Sequence, residues 1–133
     1  PEFCIKMSAN FRDAARLIQA DPVLRDKLRL LSISFDPEND TPDKLRAYGI
    51  TYMGNDPNAA FDVWQLAVGS DAEVKKIADF YGLRYEVDPN NKAIFNHSLR
   101  TAVISPGGKV TKIFAGNDWT PTQLVDAMKA AEK

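Results

Sequence analysis

Two side chains combine reactive or metal-ligating chemistry with scarcity: Cys4 and His97 are the chain's one cysteine and one histidine. As thiolate and imidazole they are donors suited to a soft cation, and a thiolate is also the attacking group of disulfide exchange. Met7 lies three positions beyond Cys4 and is either a core side chain or an accessory thioether ligand. Asp36 and Asp40 close the run Asp36-Pro37-Glu38-Asn39-Asp40, where carboxylates serve the turn itself or accept hydrogen bonds from ligating groups. On residue type alone a free cysteine reads as a small buried hydrophobe, and a lone histidine as a surface hydrogen-bonding residue. Their position in the fold has to decide. A single cysteine forbids a disulfide within the chain and leaves the redox compartment open.

The elements that must position these residues follow from pattern and punctuation. Leu28, Leu30, Leu31 and Ile33, ending at Phe35 before Asp36-Pro37, predict a short strand buried in the middle of a sheet. Thr41 is placed to cap a following helix, Pro42 to occupy its first turn and Gly49 to end it. Residues 8–20 carry Phe11, Ala14, Ala15 and Ile18 at helical spacing, with Ser8 as the cap. Cys4 is thereby expected just ahead of a helix N-terminus, where the dipole lowers a thiol's pKa. Val23 to Lys27 leads into the buried strand, and Phe61 to Val68 reads as another strand.

Ser70 and Glu73 form a capping box for a helix through Tyr81 that stops at Gly82. Leu83 to Val87 is a short strand and Asp88 to Lys92 a loop; Phe95 to Ser98 precedes the next strand, with His97 in a loop beside the hairpin. Thr101–Ile104 and Lys109–Phe114, joined by Ser105-Pro106-Gly107-Gly108, are a β-hairpin. Thr120 and Gln123, with Pro121 between them, open a last helix that buries Leu124, Val125 and Met128. Trp64 and Trp119 read as core or rim packing.

A crossover unit, a hairpin and a final helix give the order of a thioredoxin-like α/β fold with a mixed central sheet, in one domain over residues 1–133. Such a sheet also needs a strand before Cys4, so the sequence is expected to be cut short at its N-terminus. Composition is that of a globular domain, 44% hydrophobic and 26% charged. With a net charge of -1 and no basic stripe, nucleic-acid and acidic-membrane binding lack electrostatic support. In a thioredoxin-like fold the loop before the hairpin packs against the cysteine turn, and a cis-proline normally sits there. Here no proline occurs between Pro89 and Pro106. That disfavours ordinary dithiol exchange and favours a thiolate and an imidazole sharing a cation such as Cu(I).

Taken together, LLSISFDPENDTPDKLRAYG, Trp64 with the Gly-Ser-capped helix after it, and IFNHS followed by a strand, SPGGKV and a helix resemble the Sco/SenC family. The resemblance spans nearly the whole chain. It implies a copper-binding metallochaperone, holding Cu(I) or Cu(II) on two cysteines and a distant histidine, that serves assembly of the cytochrome c oxidase copper centre and so electron transport. Carried over by position, Cys4 matches the second cysteine and His97 the histidine, with Met7 and Asp36 as accessory candidates. Two positions depart: the first cysteine has no counterpart in residues 1–133, and Ile5 stands where the family has proline. The implied partner is the oxidase copper subunit or another copper or thiol protein. The implied setting is the outer face of a bacterial inner membrane, with any anchor outside this chain, or the mitochondrial intermembrane space. The alternative is an enzyme, a thiol-disulfide oxidoreductase or peroxidase-like protein using Cys4; a third reading is a binding domain that has lost its site.

Overall fold

The computed structural model describes residues 2–34, 40–54, 62–82, 85–87, 94–97 and 100–132, with side chains described from residue 6 onward outside 85–87 and 94–97. Helix α1 runs Glu2–Ala20 and α2 Pro22–Lys27; strand β1 is Leu30–Ile33, followed by α3 at Pro42–Met53 and β2 at Trp64–Ala67. Helix α4 is Asp71–Tyr81, strands β3 to β6 are Tyr85–Val87, Ile94–His97, Arg100–Ile104 and Val110–Ala115, and α5 is Pro121–Ala131.

Helix α1 starts a full turn and more before the predicted residue 8. Nothing in residues 2–7 breaks a helix, and Met7 extends the apolar stripe of Phe11, Ala14, Ala15 and Ile18 by one turn onto the same core. Ser8 is therefore a helical residue and not a cap. Its hydroxyl lies 2.6 Å from that of Tyr48. Asp21 caps the unforeseen α2 by accepting from the Val23 and Leu24 N–H groups, with Pro22 in the first turn.

Thr41 caps α3 as expected, accepting from the Lys44 N–H at 3.3 Å. Gly49 does not end that helix. It is buried inside it, and the chain continues until Gly54, whose φ of 101° is open to glycine without a Cβ penalty. The extra turn is stabilised by tertiary packing, because Tyr52 and Met53 lie against the core.

Strands β1 and β2 pair in parallel, Leu30 opposite Trp64 and Ile33 opposite Ala67. Among the described residues the strands form three two-stranded ladders: this one, antiparallel β3–β4, and the β5–β6 hairpin. The single continuous sheet expected from the sequence is thus not closed by the described strands. As a consequence β1 is not fully buried: Leu31 and Ile33 are 55% and 40% exposed. They line a groove of about 510 Å³ between β1 and β5, together with Ile77, Tyr81, Thr101 and Ile104. The Thr101 Oγ1 in its wall is buried with no hydrogen-bond partner among the described residues.

Helix α1 packs on α5, α3 and β2, and α5 covers β5. The core centres on Trp64, only 1% exposed, with Phe11, Ile18, Val63 and Leu124 around it. Trp119 is buried there too, so both tryptophans are core residues.

Helix α4 carries the full capping box: Ser70 Oγ accepts from the Glu73 N–H at 3.2 Å, and the Glu73 carboxylate accepts from the Ser70 N–H at 3.1 Å. It ends at Gly82 in the left-handed conformation, φ 72°. The backbone N–H of Ser70, and secondarily its hydroxyl, hold the Glu73 carboxyl below the ordinary glutamate range. A carboxyl lowered in the folded state stabilises fully above its unfolded-state pKa and loses that contribution as pH falls through the folded one. Thermal melts should therefore find Glu73→Gln less stable than wild type near neutrality, with the gap closing as the solution is acidified below the ordinary glutamate pKa. A gap independent of pH would show that the Glu73 charge is not coupled to folding.

Candidate metal centre

Cys4 lies in the first turn of α1, which begins at Glu2, and not ahead of the helix as the sequence suggested. Three contacts fix this end of α1. Ser8 meets Tyr48 of α3, Asn10 Nδ2 donates to the Trp119 carbonyl at 3.2 Å, and Lys6 lies 3.8 Å from Asp118. The Lys6–Asp118 pair is exposed and contributes little to stability. The two hydrogen bonds clamp the helix to α3 and to the segment before α5. Met7, one turn from Cys4, is half-buried and packs on the core cluster.

His97 is not in a loop. It is the last residue of β4 and pairs with Tyr85 of β3 in an antiparallel ladder that shifts register between Glu86 and Val87. The sequence Ile94-Phe95-Asn96-His97 sets two apolar residues before two polar ones with no alternation, and its partner strand has three residues, so neither signals a strand strongly. The backbone thus sets His97 on a ladder and Cys4 on a helix turn. The side chains of both lie outside the described set. Asp36 also lies outside the described residues. Asp40 is described, and accepts from the Ser34 hydroxyl at 2.5 Å, tying the residue after β1 to the one before the Thr41 cap. That is a structural role for its carboxylate. Among the described residues no group of three or more His, Cys, Asp or Glu side chains could hold a metal ion.

Residues that sequence reasoning missed are Ser8, Asn10 and Tyr48. Their partners lie 40 and 109 positions away in the chain, so no local pattern announces them.

A thiolate in a helix's first turn and an imidazole on a strand end are a donor set for Cu(I) or for another thiophilic ion, and the thiolate alone is a nucleophile toward disulfides. Known proteins narrow this. The sequence profile of the SCO1/SenC family matches residues 1–132. A SCO1 protein homolog of Bacillus subtilis (strain 168) is 27% identical over 132 residues, covering 96% of this chain and 63% of that protein's length. The structure of Arabidopsis thaliana ScoI with copper bound superposes with a TM-score of 0.74 at 21% identity, covering 98% of this chain and 75% of that one. Apo Sco1 of Thermus thermophilus matches with a TM-score of 0.63 at 18% identity, over 98% of this chain and 69% of its own. The fold is therefore the thioredoxin-like fold of the Sco1 structures. Cys4 and His97 both fall inside the family match, and this chain belongs to the SCO1/SenC family.

Proposed function

We propose that this chain is the copper-carrying domain of a metallochaperone, with Cu(I) as cargo and the Cys4 thiolate and His97 imidazole among its ligands. The observation that carries this reading is the family match over residues 1–132, which takes in the chain's one cysteine and one histidine. The copper held by the Arabidopsis relative supports it further. So does donor chemistry, because Cu(I) favours thiolate and imidazole at low coordination number. Delivery would be to the copper subunit of cytochrome c oxidase or to another copper or thiol protein, on the extracytoplasmic side of a bacterial inner membrane or in the mitochondrial intermembrane space. No helix among the described residues is long and apolar enough to cross a membrane.

A second reading is favoured by one observation, the place of Cys4 in the first turn of α1. There the thiolate could attack a partner's disulfide, forming a mixed disulfide and releasing the partner's other sulfur as a thiolate.

The deciding experiment is a competition titration of Cu(I) against a chromogenic chelator, on wild type and His97→Ala. The expected result is stoichiometric binding in wild type and about 10-fold or greater loss of affinity in the variant, a difference of at least about 1.4 kcal/mol. Binding indifferent to His97, or absent from wild type, overturns the copper reading and leaves the thiol reading to be tested by trapping the mixed disulfide.

A further inference from the structure

The aromatic side chains of the core stand in series. Trp64 and Tyr52 have ring centroids 6.3 Å apart, and Tyr52 and Tyr48 follow at 4.9 Å. The two ends of this series differ. Trp64 is 1% exposed, and its Nε1–H donates to Ser32 Oγ at 2.9 Å. Tyr48 is half-buried, and its hydroxyl meets Ser8 Oγ at 2.6 Å. On the other side of Trp64 comes Phe11, at 6.0 Å, and then Trp119 at 5.8 Å from Phe11. Indole and phenol are the most readily one-electron-oxidised rings among the side chains, whereas a phenylalanine ring is not. Among the described residues the oxidisable, contiguous branch therefore runs from Trp64 outward to Tyr48.

We propose that Trp64, Tyr52 and Tyr48 form a hole-transfer path that carries an oxidising equivalent from the core to the Tyr48 hydroxyl. An oxidant of the oxygen-radical class takes one electron from the Trp64 indole, whose Nε1 proton passes toward Ser32. Tyr48 then gives one electron to the indolyl radical through Tyr52. Its phenolic proton leaves by way of Ser8 to water, and Nε1 recovers a proton from the Ser32 side. The oxidant ends reduced by one electron, Trp64 is restored, and a tyrosyl radical stands at Tyr48, where solution reductants reach it. One proton is released overall. Packing alone would explain why the rings touch; it does not require the outermost phenol to be hydrogen-bonded to a hydroxyl that can take its proton. The path does not depend on bound metal.

Flash photoionisation of the indole, with the ejected electrons scavenged, tests this in a Trp119→Phe background so that Trp64 is the one indole source. Time-resolved absorption and electron paramagnetic resonance follow the two radicals. The expected result is an indolyl signal that decays at the rate a tyrosyl signal grows. Tyr48→Phe with Tyr52→Phe keeps every ring, so the fold is retained, yet should slow the decay by an order of magnitude or more and abolish the coupled tyrosyl growth. Tyr81→Phe should change neither. Equal rates in the double variant, or no tyrosyl growth with all tyrosines present, overturns the path.

Discussion

Replacing Trp64 by alanine lowers the stability of this fold by about 3–5 kcal/mol, the upper range for a single core truncation. Trp64 is 1% exposed and begins β2 opposite Leu30, so its side chain faces the core at the point where the parallel ladder starts. Phe11 packs edge-on to it from α1 and Tyr52 from α3, so one truncation removes contacts from two helices at once. The cavity is bounded by secondary structure on three sides and collapses poorly, which is why the loss exceeds the transfer energy of the removed atoms. The truncation also strips Ser32 Oγ of its indole donor. Trp64→Phe should recover much of the loss, retaining an aromatic ring but not the hydrogen bond, itself worth about 1 kcal/mol. Urea unfolding decides the matter through a shift in midpoint at constant slope. A loss for Trp64→Ala below about 1.5 kcal/mol would mean that helices α1 and α3 close over the gap.

The second large effect is expected at Cys4. Cys4→Ser removes the softest donor in the chain and leaves a hydroxyl that Cu(I) does not favour, while changing side-chain volume little. The affinity for Cu(I) should fall at least about 100-fold, or about 2.7 kcal/mol, more than for His97→Ala. The order of the two losses is itself a prediction, because thiolate dominates imidazole for a cuprous ion. Affinity in wild type should also decline as pH is lowered, since protons compete with the metal for both donors. Urea midpoints measured on the same variant separate this from unfolding. A Cys4→Ser protein that still binds like wild type removes Cys4 from the metal site.

What could be read from the sequence was the chemistry that acts over three or four residues. The Ser70–Glu73 and Thr120–Gln123 boxes, the Thr41 cap with Pro42, and the hairpin turn at Ser105 to Gly108 are each made as their residue types dictate. Local signals mislead where distant packing overrides them. Gly49 looks like a stop, but the core holds Tyr52 and Met53 and carries α3 past it. Ser8 looks like a cap, yet Met7 one position earlier already faces the core and draws the helix back over Cys4. The same limit applies to the site. Cys4 and His97 were legible by type, but the strand that carries His97 is defined by its pairing with Tyr85 and not by its own four residues. The clamp between Ser8 and Tyr48 joins two helices whose sequences hold no trace of each other.

The two kinds of strand pairing differ in how far apart in the chain their partners lie, and this sets an order of assembly. The β5–β6 hairpin joins Ile104 to Val110 across the five residues Ser105 to Lys109, with its own hydrogen bonds from the Gly108 N–H to the Ser105 carbonyl and from the Ser105 N–H to the Lys109 carbonyl. Units of that sort close in about 1–10 μs. The parallel ladder joins Leu30 to Trp64, and everything from the end of β1 to the start of β2, including α3, must be gathered before the first pair is made. Its loop-closure entropy is spent before any contact repays it. The C-terminal hairpin is therefore ready early, and the docking of Trp64 beside β1 comes after it.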